Sequence, residues 1–211
     1  MFAIYARYRG RATRRAELVE RSAAALSTLP GIGEFDIIDV EDICATAVGD
    51  DAAIAIADVT MALLSAGEWA VGISVLPAQA QQDEDSAKIL AGNALGSASR
   101  SGVVKVRVAP VPPSKQAPRS AKELKEEAQN WAFDIAAAFT MLATILAKRT
   151  DEGREATALM RRGMTQVEAA EELGITKQAM SQRLQAAGWQ AETAGWKLAV
   201  DLLAKSERGL S

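Results

Sequence analysis

The chain has no histidine, and Cys44 is the only cysteine in its 211 residues. No disulfide can close within it, no cysteine/histidine set can hold zinc, and imidazole acid–base catalysis is excluded. Neither sign of charge dominates: 24 Lys and Arg stand against 27 Asp and Glu, a formal net charge of −3. That balance rules out wholesale attraction to a polyanion, so any nucleic-acid contact must come from a local basic surface. Long uncharged apolar runs are missing too. The opening Met-Phe-Ala-Ile-Tyr-Ala is broken by Arg7, Arg9 and Arg11, and no later segment offers the ~18 residues that a membrane span needs. The expectation is a cytoplasmic chain with no membrane association. At 49% hydrophobic and 24% charged residues, the composition is that of a globular protein.

Proline is scarce but concentrated. Four of the six prolines fall between Pro110 and Pro118, where missing backbone donors and fixed φ angles favour an extended connector. The sequence therefore divides into residues 1–109, a linker over 110–119, and residues 120–211. The first part alternates strand-like and helical periods. Strands are predicted over Phe2–Tyr8, Phe35–Val40, Ile43–Val48, Trp69–Leu76 and Val103–Val108. Helices are predicted over Thr13–Leu29, from a cap at Asp50 or Asp51 to Gly67, and over Ser86–Ser99. This βαββαβ order with an added αβ implies an α+β class with a ferredoxin-like or palm arrangement.

The last part reads as all-helical. From Ser120, Leu124, Ala128, Trp131, Ile135, Phe139, Leu142 and Leu146 recur at three- and four-residue steps, a stripe that must be buried. Between Ala132 and Ala147 only Asp134 interrupts the apolar and small residues, so part of this helix is expected to join two copies of the chain into a homodimer through residues 120–149. A central core helix in a monomer has the same pattern. Trp189, Trp196, Leu198, Leu202 and Leu203 then mark a closing helix, its tryptophans assigned to the core.

The segment Met164 to Leu184, within a motif spanning 165–187, carries the functional argument. Two closely crossing helices need a small residue at the contact, a turn residue tolerant of positive φ, and inward apolar positions on the second helix. Ala170, Gly174, Met180 and Leu184 supply them. Thr165 and Glu168 fit a capping box, and Thr176 can cap the second helix. That arrangement is a helix-turn-helix. It turns Lys177, Gln178, Ser181, Gln182 and Gln185 outward, toward the phosphates and base edges of double-stranded DNA. Between Glu172 and Glu192 there is no acidic residue, whereas Lys177 and Arg183 fall inside that interval and Arg161 and Arg162 stand before it. The DNA-binding set is Thr165, Gln166, Thr176, Lys177, Gln178, Ser181, Gln182, Arg183 and Gln185. Arg7, Arg9 and Arg11 form a candidate anion-binding group.

The α/β half, the long helix and the Thr165-Gln166, Ala170, Gly174-Ile175, Met180-Ser181, Leu184 pattern together resemble the SatD-like family. The resemblance implies a nucleotide-cyclase-like palm joined to a helix-turn-helix. In such palms a first-strand Asp and a hairpin carboxylate pair hold metal. Here Arg7 stands at the first position, although Glu41 and Asp42 remain, so the resemblance implies a degenerate, non-enzymatic palm without cofactor or metal. Gly49-Asp50-Asp51 looks like an acidic metal motif, but it sits at a helix start and is assigned to capping. The leading expectation is a dimeric transcriptional regulator, with a small-molecule or protein effector at the N-terminal domain. A nucleotidyl cyclase or phosphotransferase and a protein-interaction module are the alternatives.

Overall fold

The computed structural model describes residues 1–98, 100–111 and 119–209. Most of the proline-rich linker, residues 112–118, lies outside the described residues, as does the Ser99 end of one predicted helix. The N-terminal half runs β1 (Phe2–Tyr8), α1 (Arg15–Leu26), β2 (Asp36–Asp39), β3 (Asp42–Ala47), α2 (Ala52–Ala66), β4 (Trp69–Val75), α3 (Glu84–Leu95) and β5 (Val104–Val108). Five helices follow: α4 (Ala121–Ala147), α5 (Asp151–Arg161), α6 (Gln166–Glu172), α7 (Lys177–Ala186) and α8 (Trp189–Arg208). The class is α+β, built on one mixed sheet in the order β2-β3-β1-β4-β5. Neighbouring strands are antiparallel except β4 and β5, which run parallel across the α3 connection.

Several element boundaries differ from those the sequence predicts. The hairpin turns at Val40 and Glu41, so Asp42 already belongs to β3 and pairs with Arg7. Neither Asp50 nor Asp51 acts as the expected side-chain cap: Asp51 occupies the N-cap of α2 without that bond. Burial substitutes for it, because most of α2 from Ala52 to Leu64 is packed inside. Conversely α3 begins before Ser86, since the Asp83 side chain accepts from Ser86 N–H at 2.9 Å.

Alternation along the strands sends Phe2, Ile4, Ala6 and Tyr8 to one face, where α1, α2, α4 and α8 cover them. Ala3 and Tyr5 point to the other, against α3. The first face merges the two halves of the chain. Ile135, Phe139, Leu142 and Leu146 of α4 and Ala199 and Leu203 of α8 belong to the same buried cluster as the sheet. α4 approaches α8 closely at Gly195, where a Cβ would lie 2.8 Å from Leu142 Cδ2 and would push that side chain aside. By length and composition α4 is apolar enough to cross a membrane, yet one side of it is built into this core. Its other side leaves Phe133 73% and Met141 58% exposed.

Candidate nucleic-acid interface

Helices α5, α6 and α7 form a three-helix unit around Ala156, Leu159, Ala169, Ala170, Met180 and Leu184, with Met160, Met164, Leu173, Ile175 and Trp189 at its margin. Its local geometry follows from a few side chains. Thr165 Oγ1 accepts from Glu168 N–H at 3.3 Å, and Glu168 Oε2 accepts from Thr165 N–H at 2.7 Å, which closes the capping box predicted for α6. The backbone donor of Thr165 also holds the Glu168 carboxyl below its ordinary range. After α6 the chain turns through Gly174 at φ +62°, a left-handed conformation that favours glycine. Ile175 N–H returns to Ala170 C=O at 2.9 Å, and Thr176 Oγ1 accepts from Ala179 N–H at 3.1 Å to start α7. Each of these bonds satisfies a backbone group that a helix end leaves orphaned.

With Met180 and Leu184 inside, α7 presents Lys177, Gln178, Ser181, Gln182 and Gln185 on a solvent-facing side. Thr176 is exposed at its N-terminus, and Thr165 and Gln166 are exposed at the start of α6. Arg183 differs from this group. It is half-buried, and its charge adds to the backbone and Thr150 hydrogen bonds that hold Glu152 below the usual carboxylate range. The first turn of α7 contains no acidic residue.

Arg161 and Arg162 part company. Arg162 is exposed, but Arg161 donates from Nε and Nη2 to Glu192 Oε1, at 2.8 and 2.6 Å. The other oxygen of Glu192 accepts from Arg149 Nη2, while Arg149 Nε donates to Ala187 C=O at 2.8 Å. Glu192 and Arg149 are both buried. This triad joins the end of α4, the end of α5 and the start of α8, and it fixes the three-helix unit to the rest of the molecule. Sequence reading missed it because its members lie 31 and 43 positions from their partners. The first helix of the unit, α5, was legible in principle. Thr150 caps it through Gly153 N–H at 3.3 Å, with Asp151 and Glu152 in the first turn.

The N-terminal arginines are engaged. Arg7 donates to both oxygens of Asp42, Nε to Oδ1 at 2.8 Å and Nη2 to Oδ2 at 2.7 Å, and Tyr5 Oη donates to Oδ2 at 2.7 Å. Burial alone would push the Asp42 carboxyl up, but these donors outweigh it and hold it below its usual range. Burial and the Asp42 charge push the Tyr5 phenol up to about 12. Arg9 pairs with Glu41 at 2.8 Å, and Arg15 pairs with the same carboxylate. The guanidinium groups also reach the end of α3: Arg7 Nη1 donates to Gly96 C=O at 2.8 Å and Arg9 Nε to Ala98 C=O at 3.2 Å. Arg11 is exposed beyond the strand. Of the three-arginine group, two already have anionic partners. Among the described residues, no cluster of three or more Asp, Glu, Cys or His side chains is set to hold a metal ion. Comparison of the chain with protein-family models, with curated proteins and with solved structures finds no match.

Proposed function

We propose that this chain is a cytoplasmic, dimeric DNA-binding regulator that lays α7 in the major groove. The observation that carries the reading is the outward side of α7. Lysine, glutamine and serine side chains are exposed there on a helix without acidic residues, held from behind by Met180 and Leu184. Approach to phosphates requires that absence of negative charge, and glutamine can bond adenine through two atoms. The compact core of α5, α6 and α7 and the two capped helix starts support the helix-turn-helix reading. Lys177 serves phosphate contact, whereas Gln178, Ser181, Gln182 and Gln185 read bases. Thr165, Gln166 and Thr176 lie at helix starts that suit backbone phosphates. Arg183, partly covered and facing Glu152, contributes a phosphate contact at the edge of the footprint.

A single module of this size buries too little surface for tight, specific binding, and dimers read two half-sites about 34 Å apart. We assign the dimer contact to the outer side of α4, where Phe133 and Met141 stay exposed after the core is filled. The sheet order supports the ferredoxin-like, palm-type reading and with it the SatD-like resemblance. The Arg7–Asp42 pair and the Gly96 carbonyl beside it, just past α3, support a degenerate palm that binds an effector or partner rather than turning over a nucleotide. Selection of bound duplexes from a random library, followed by sequencing, tests the function. A palindromic site should emerge; absence of any salt-dependent duplex binding would end the reading.

A further inference from the structure

A cavity of about 480 Å³ opens between α2 and the beginning of α8, well within the range of roughly 300–1,000 Å³ typical of small-molecule sites. One side of α2 supplies Asp58, Met61 and Ser65, and one side of α8 supplies Trp189, Glu192 and Trp196. In both helices the spacing of three and four residues stacks the side chains along a single face. The two indoles and the Met61 thioether make a broad, polarisable apolar lining.

The polar groups in this lining are unequal. Glu192 is saturated by Arg149 and by Arg161, which also lines the cavity, so this end of the lining offers no free negative charge and leaves Asp58, among the described residues, as the only place for a cation. Asp58 accepts from Trp196 Nε1 at 2.7 Å through Oδ1, and no described residue hydrogen-bonds its Oδ2 or pairs with its charge. Apolar surroundings push the Asp58 carboxyl up, against the pull of the Trp196 hydrogen bond; a cation placed beside it would reverse that push. At the α2 wall, none of the described residues hydrogen-bonds the covered Ser65 Oγ, an uncommon condition for an interior hydroxyl. A carboxylate lacking a cation and indole faces attractive to positive charge define a complementary guest.

We propose that this cavity binds a small heteroaromatic cation, its charged nitrogen on Asp58 and its ring against Trp189 and Trp196. Trp189 also packs against the core of α5–α7, and Trp196 against the sheet core, so the guest touches both bodies of the molecule. The site is independent of whether α7 meets DNA.

Isothermal titration of the full chain at about pH 7.5 with 9-aminoacridine, a cation, and with acridine, its neutral counterpart, tests the assignment. The amine should bind at least about tenfold more tightly. Asp58→Asn, which keeps an acceptor for Trp196, should erase the difference while leaving acridine binding unchanged. Ala62→Trp, or Thr193→Trp from the opposite wall, should fill the space and abolish both heats in a chain with an unaltered circular-dichroism spectrum. Equal affinity for the two probes, an amine preference that survives Asp58→Asn, or no heat for either probe at millimolar concentration would overturn the proposal. So would undiminished binding by both folded tryptophan variants.

Discussion

Arg7 grips Asp42 side-on, with one donor for each carboxylate oxygen, at the register position where β1 and β3 pair. The pair is mostly buried, so Arg7→Ala leaves a carboxylate without its cation and should cost about 2–4 kcal/mol. Asp42 has a folded pKa below its unfolded one, so its contribution is fully present above the unfolded value. It is lost as pH falls through the folded value. Urea melts across the acid range should therefore show a shallower acid loss for Asp42→Asn than for the parent. An identical acid limb in both proteins would show that the pair carries no such linkage.

On the outward side of α7, if it meets DNA as proposed, Gln178→Ala and Gln182→Ala should each cost about 1–3 kcal/mol on the preferred site and relax base preference. Lys177→Ala should weaken all duplexes alike and flatten the salt slope by about one ion. Titrations of a selected and a scrambled duplex at several salt concentrations separate these outcomes. Equal losses on both duplexes for the glutamine variants would mean that α7 positions the protein without reading sequence.

Glu192 stands between two guanidinium groups, one of them fully inside. Glu192→Gln should destabilise the chain by about 3–5 kcal/mol, because two cations lose a shared counter-charge. The double change Glu192→Leu with Arg149→Met should recover part of that loss, since apolar replacement removes the uncompensated charge instead of stranding it. Chemical denaturation of the parent and these two variants gives the comparison; a double variant no more stable than Glu192→Gln would argue against stranded charge as the cause.

The two sides of α4 should respond in opposite ways to a charge. Phe133→Asp and Met141→Asp lie on exposed positions and should yield a folded monomer by analytical ultracentrifugation. Phe139→Asp, at 0% exposure, should fail to fold, with a penalty of several kcal/mol for an unpaired buried charge. A parent that sediments as a monomer at micromolar concentration would remove the assigned interface.

The parts of this molecule legible in its sequence are those whose partners lie a few residues away. Thr165 with Glu168, Gly174 at the turn, Thr176 as cap, and Met180 with Leu184 all declare themselves by spacing, and the structure places them accordingly. The strands and most helices were legible for the same reason. Distant contacts carry no such periodic trace. Nothing near Arg161 announces that it is spent on Glu192, and nothing near Arg7 announces that the end of α3 accepts from it. The apolar circumference of α4 was plain, but not which part the sheet and α8 would use and which part would remain. The apolar stripe assigns Trp189 and Trp196 to the core; they are half-buried and shared between core and cavity.

Because Phe2 and Leu203 enter one buried cluster, the chain has a folding order imposed on it. A ribosome releases the sheet long before it releases α8, and during that interval Ile56, Leu64 and the adjoining strand residues have no complete cover. Contacts between chain segments so far apart form slowly, and an exposed strand surface awaiting its lid is prone to association. The newborn sheet should therefore depend on chaperones until the last helix arrives, and a stop codon after β5 should yield an insoluble fragment rather than a smaller folded protein.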